Sequence, residues 1–163
     1  MSKEKFDLLI NAVMQDKSLA EKLISEDPEI VHAKNGIGET VLHYLAVEDH
    51  LDEVAWLLAR GSEINTANEF GNTPLSEAAS LGYYELCEFL LKESANPRQK
   101  TPGGDTALSE AAINNEHNVV ELLLGYVEPA ETLQDYFSYV GYEVLLDKES
   151  QSAKLINLKG LKW

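Results

Sequence analysis

The side chains able to do chemistry are few and scattered. Cys87 is the only thiol in the chain, and His32, His43, His50 and His117 are the only imidazoles. A lone cysteine forms no internal disulfide and no thiolate metal cluster. The histidines follow no zinc spacing, and there is no paired-histidine helix motif and no calcium loop. Gly36-Ile37-Gly38 and Gly103-Gly104 do not spell a phosphate-cradling loop. Carboxylates are plentiful, with 28 Asp and Glu. Sugar hydrolysis needs two of them facing a cleft, and no spacing here singles out a pair. The expectation is a chain with no catalytic residue, no metal site and no cofactor.

The elements that carry these residues set the rest. The chain has 163 residues, 44% of them apolar, which is enough to fold around one core. The 28 acids face only 13 Lys and Arg, for a formal charge of -15. That balance argues against binding a phosphate backbone or an anionic membrane. It favours solubility, a monomer kept apart by self-repulsion, and attraction to basic proteins. The longest apolar run, Val54-Ala55-Trp56-Leu57-Leu58-Ala59, is far shorter than a membrane span. No signal-peptide core follows Met1-Ser2-Lys3-Glu4-Lys5, so a cytoplasmic location is expected.

A repeat organises the chain. Gly38-Glu39-Thr40-Val41-Leu42, Gly71-Asn72-Thr73-Pro74-Leu75 and Gly104-Asp105-Thr106-Ala107-Leu108 are each 33 residues apart. The register continues without insertion through Ala46, Ala79 and Ala112, then Val54, Cys87 and Val120, then Leu57, Leu90 and Leu123. A repeat of this length marks a solenoid of stacked units. Cys87, in the register of two valines, reads as a small buried hydrophobe. Trp56, Phe89 and Leu122 share another register and read as core.

Each unit parses as a turn and two helices. The three glycines sit where a tight turn needs positive φ. Thr40, Thr73 and Thr106 can cap a first helix, predicted over 41–48, 74–81 and 107–114. Pro74 suits a first helical position. Second helices are predicted over 51–60, 84–93 and 117–125, from apolar residues three and four apart. Gly61 reads as a helix stop. Phe6, Leu9, Ile10 and Val13, then Leu19, Leu23 and Ile24, give the N-terminal pair before Asp27-Pro28 breaks the chain. The expected division is a capping helix pair over 1–34, repeats over 35–67, 68–100 and 101–129, and a divergent cap over 130–163. In that cap, Leu133, Tyr136, Phe137, Val140 and Val144 fit one helix face over 130–147, and Lys154 to Trp163 reads as a strand, short helix or arm. Acidity belongs to the repeat body: residues 1–129 hold 23 acids and nine bases, residues 130–163 five acids and four lysines.

A 33-residue period with Gly-x-Thr-Pro-Leu and a later Leu-Leu resembles the ankyrin repeat. Gly61-Ser62-Glu63-Ile64-Asn65 is similar to that family's Gly-Ala-Asp-Val-Asn, and His43 to its structural histidine, with Ser76 and Ser109 in its place further on. The resemblance implies an all-α solenoid with turn or hairpin tips and divergent caps. It also implies a partner-binding surface of tips and exposed first-helix positions. Those are Ile37, Glu39, Phe70, Asn72 and Asp105 at the tips, and Tyr44, Val47, Glu48, Glu77, Leu81, Glu110 and Ile113 on the helices. Apolar groups ringed by carboxylates have the layout of an interface. The expected function is a non-enzymatic scaffold for a basic protein. Small acidic bacterial members of the family that act as immunity proteins against basic toxins such as nucleases supply one alternative by analogy. An enzyme inhibitor or a regulatory adaptor is the other.

Overall fold

The repeat register folds as two parallel rows of short helices. A computed structural model of the chain describes residues 2–127 and, for 142–147 and 152–157, the backbone. The N-terminal pair is α1 (Ser2–Gln15) and α2 (Lys17–Glu26), followed by a 3-10 turn over Pro28–His32. Three pairs follow: α3 (Val41–Val47) with α4 (Leu51–Leu58), α5 (Pro74–Ser80) with α6 (Tyr84–Lys92), and α7 (Ala107–Ile113) with α8 (His117–Leu124). First helices α1, α3, α5 and α7 pack in one row, and second helices α4, α6 and α8 in another. Residues 2–127 thus form the expected all-α solenoid of stacked helix pairs. Its continuous core holds Leu42, Leu45, Leu57, Leu75, Leu90, Leu108 and Leu123, with Cys87 among them.

Single residues explain why the helices start and stop where they do. Thr73 and Thr106 accept the backbone N–H of Ser76 and Ser109 through their hydroxyls. Those serines return the bond to the Thr73 and Thr106 N–H at 2.8 and 2.7 Å, so two helix-start donors are satisfied reciprocally. First helices end on Asp49, Gly82 and Asn115, one register, all at positive φ (56°, 76° and 62°). The left-handed residue closes the last turn, and Asp and Asn tolerate it better than most. Gly61 does the same after α4, and Ser94 takes that role after α6 at φ 71°.

The tips are short hairpins built the same way three times. Asn35 Oδ1 accepts the N–H of Ile37 and Glu39, and Asn68 Oδ1 those of Phe70 and Asn72, all at 3.0 Å. Thr101 Oγ1 takes the matching place by accepting Asp105 N–H. Successive tips touch: Glu69 N–H donates to Ile37 O at 3.0 Å. A side chain on Gly71 would come within 2.5 Å of Pro102, so that glycine is required by packing as well as by its φ of 89°. Asn65 ties the segments after α4 and α6 together, accepting Asn96 N–H at 2.7 Å.

One expectation is corrected. Tyr142–Asp147 is a strand, β1, and not the end of a helix over 130–147; it pairs antiparallel with β2 (Ser152–Asn157), Val144 opposite Leu155. Gly141 opposes a helix, and a Tyr-x-Val-Leu-Leu run suits a pleated surface better. Residues 154–157 take the strand option, while 130–141 and 158–163 lie outside the described residues. Trp56, Phe89 and Leu122, expected as core, are half-buried and packed against the buried cluster.

Candidate functional site

The predicted surface residues fall on one side of the stack, the tips and the open face of the first-helix row. Exposure decides which of them can meet a partner. Phe70 is 61% exposed and Ile37 41%, so neither is consumed by packing on the next tip. Tyr44 on α3, Leu81 after α5 and Ile113 at the end of α7 are also exposed, at 42, 44 and 50%. Val47 is half-buried beside them, and Glu48 is exposed. Met14 on α1 lies 33 residues before Val47 and is exposed as well. It extends the apolar line onto the N-terminal pair; the repeat offset carried one unit back was the signal for it.

The remaining predicted residues are half-buried and partly committed. Glu39 accepts Asn35 Nδ2 at 2.7 Å, so its carboxylate is held against its own tip. Glu77 Oε1 accepts Asn72 Nδ2 at 3.0 Å and Asn68 Nδ2 at 3.4 Å. Asn72 spends its amide on Glu77, and its carbonyl faces His43 Nε2 at 3.1 Å. It therefore orients a neighbour and offers little of itself. Asp105 is tied to Thr101 through backbone and side chain.

The electrostatics of the face are one-sided. Burial first, then the charges of Asp105 and Glu77, raise the Glu110 carboxyl above the ordinary range for a glutamate. These three carboxylates therefore crowd one another. None of Glu39, Glu48, Glu77, Asp105 or Glu110 enters an ion pair among the described residues. The ion pairs there lie elsewhere: Lys5–Asp27, Lys17–Glu53, Lys22–Glu26, Arg60–Glu21 and Lys92–Glu88. Four of the five sit on second helices or beside them.

The candidate chemical groups behave as scaffold. Burial, and then the charge of Asp49, push the Cys87 thiol up to about 12, where no thiolate forms at neutral pH. His43 is fully buried, with Nδ1 accepting Thr40 N–H at 3.2 Å. Its proton therefore sits on Nε2 and is donated to Asn72 O, joining two repeats. Among the described residues no three His, Cys, Asp or Glu side chains gather as a metal site. No described helix is long and apolar enough to cross a membrane.

Comparison with known proteins agrees with this geometry. A family model for ankyrin repeats matches residues 9–101 in three copies. A serine/threonine-protein kinase, VIK, of Arabidopsis thaliana is 32% identical over 83 residues, covering 51% of this chain and 19% of the kinase. Inversin of Gallus gallus is 32% identical over 120 residues, 74% of this chain and 11% of inversin. A probable E3 ubiquitin-protein ligase, XBOS32, of rice is 33% identical over 82 residues, 50% of this chain and 16% of the ligase. The chain thus spans under a fifth of the length of these relatives, all of them eukaryotic. The matched register, the paired helices and the stacked tips together place this chain in the ankyrin-repeat family.

Proposed function

We propose that this chain is a non-enzymatic module that binds a basic protein through the tips and first-helix face of its repeats. Contact with other proteins is what ankyrin repeats generally provide; the basic character of the partner is the finer reading. One observation carries it: among the described residues, the five carboxylates of this face lack the cations that neutralise acids on the second helices. A partner bringing Lys or Arg would relieve the crowding at Glu110, speed encounter and select against acidic competitors. Ile37, Phe70, Tyr44 and Leu81 supply the apolar centre. At a formal charge of -15, two copies repel each other, which favours a monomer. A soluble cytoplasmic setting suits the same surface.

Two narrower roles fit this surface. An immunity protein against a basic toxin is supported by the strong acidity of the chain. A regulatory adaptor or inhibitor is supported by relatives in which the matched region is a small part of a longer protein. Identifying the captured partner separates them, a toxic nuclease in one case and a kinase, ligase or scaffold component in the other.

The test is affinity capture from the native cell, with the variant Phe70→Ala/Glu77→Lys/Glu110→Lys as control. The partner retained by the natural chain should be basic, should bind less tightly as salt rises, and should bind the variant weakly and with little salt dependence. A folded variant that captures the same partner with unchanged affinity rules this face out.

A further inference from the structure

Among the described residues, one cation site is complete. Arg60 sits over the Trp56 indole, 3.7 Å from the ring centroid, and donates Nη1–H to Trp56 O at 2.9 Å. Its Nε donates to Glu21 Oε1 at 3.0 Å, and Nη2 donates to the same oxygen. An aromatic ring and a carboxylate from a neighbouring helix together hold a guanidinium.

The face of the first helices has the same two ingredients, and among the described residues no cation pairs with them. The Tyr44 ring is exposed on α3. Glu48 follows it by four residues, one turn along the same side. Glu77 occupies the register of Tyr44 one repeat later, on α5, which packs beside α3. Its Oε1 is anchored by Asn68 and Asn72, which fixes the carboxylate, while Oε2 takes no hydrogen bond from the described residues. Leu81 and Ile113 continue the apolar line beyond.

We infer that the protein segment taken by this face presents arginine in preference to lysine, one guanidinium stacking on Tyr44 between Glu48 and Glu77. The inference rests on the binding role proposed above and names the chemistry of its partner. Three physical differences separate the two cations. A guanidinium is planar and stacks on a ring; an ammonium is a compact point charge. A guanidinium is weakly hydrated, so leaving water for a half-buried face costs it less. Its fork of donors can reach two carboxylates while the plane stays on the ring. Aliphatic side chains of the same segment lie on Leu81 and Ile113, where a uniformly charged chain would leave apolar surface uncovered.

The experiment uses the full chain and two synthetic peptides, one repeating Leu-Arg-Ser and its twin repeating Leu-Lys-Ser, with equal length and charge. Fluorescence anisotropy reads both affinities at low and moderate salt. The arginine peptide should bind about fivefold to tenfold more tightly, the scale of a stacked cation. Tyr44→Phe should keep that ratio. Tyr44→Ala should lower that ratio markedly and leave a weaker, salt-dependent affinity for both peptides. Equal affinities in the natural chain, or an unchanged ratio in Tyr44→Ala, overturn the arginine assignment. If both peptides bind equally and both are lost in Glu77→Lys/Glu110→Lys, only that assignment falls and the acidic face stands. If neither peptide binds, or charge reversal alters neither affinity, the face and the assignment fall together.

Discussion

His43 ties two repeats together, and its removal separates two contributions that are otherwise merged. The ring accepts Thr40 N–H at 3.2 Å, lies 2.9 Å from the Thr40 hydroxyl, and donates to Asn72 O at 3.1 Å. Each bond between neutral groups is worth about 1 kcal/mol net, and the partner left unpaired in a buried place adds to the loss. The void left by the ring adds about 1–2 kcal/mol. His43→Ala should therefore cost about 3–4 kcal/mol. His43→Ser should recover about 1 kcal/mol of that, because Ser76 and Ser109 show a serine there capping the threonine N–H. The Ser76 hydroxyl bonds within its own repeat, to Thr73, so the deficit that remains in His43→Ser measures the bridge to Asn72. Urea unfolding followed by circular dichroism supplies these values. The same variants carry a pH signature. Burial lowers the His43 pKa, against smaller upward pulls from the Asn72 carbonyl and the Glu39 charge. A histidine with a depressed folded pKa contributes stability that is full above its unfolded value of about 6.5 and lost as pH falls below it. The natural chain should lose more stability than His43→Ser between pH 7 and pH 5, and the comparison cancels the other histidines. Loss below about half a kcal/mol in His43→Ala, or parallel pH profiles for the natural chain and His43→Ser, would refute the bridge.

The core makes a blunter prediction. Leu75→Ala or Leu90→Ala, each at a fully or almost fully buried site, should cost about 2–5 kcal/mol by denaturant unfolding. Ser94→Gly should stabilise by about 1 kcal/mol, since Ser94 holds φ 71° at the end of α6 and glycine pays no side-chain penalty there; a destabilised variant would contradict that origin. The raised Glu110 pKa means its ionised form opposes folding, and that opposition grows as pH climbs through the unfolded value of about 4.3 and the higher folded one. Glu110→Gln should therefore be more stable than the natural chain at pH 7 and no different at pH 3, checked by thermal unfolding at both.

How far the fold could be read from residues depended on whether the signal repeated. Gly38, Gly71 and Gly104 do have positive φ, 79°, 89° and 95°. The first-helix starts at 41, 74 and 107 fall where the threonine caps put them. The left-handed ends at Asp49, Ser94 and Asn115 were hidden because their residue types vary; only their shared register with Gly82 and Gly61 betrays them. The Asn35 and Asn68 turns were equally available at 33-residue spacing, but a side chain bonding its own backbone leaves no hydrophobic trace. Trp56, Phe89 and Leu122 do pack against the core, but only half-buried. Shared register places residues on equivalent sides of a helix, and a large ring can occupy that side while half of it meets water. Beyond Leu124 no copy exists to compare. There Val144 fitted a helical spacing that a strand over 142–147 satisfies differently. At the site, positions followed from register, but the locking of Glu39 and Glu77 by asparagines needed the structure.

The distribution of cations bears on function more than the net charge does. Solubility alone would be served by acids spread anywhere on the surface. Here Lys17, Arg60 and Lys92 draw second-helix acids into pairs, while Glu39, Glu77 and Asp105 are held by neutral asparagine and threonine groups. A neutral donor orients a carboxylate without cancelling its charge, and an ion pair does cancel it. Residues 101–127 contain no Lys or Arg at all, so the crowding at Glu110 has no remedy within its own repeat. Surface ion pairs add little stability, so supplying a lysine at this face would gain the fold almost nothing. It would, however, remove the charge that the proposed basic partner needs. Carboxylates oriented but not neutralised, beside exposed Tyr44 and Phe70, are what a site for a cationic chain requires in advance of binding.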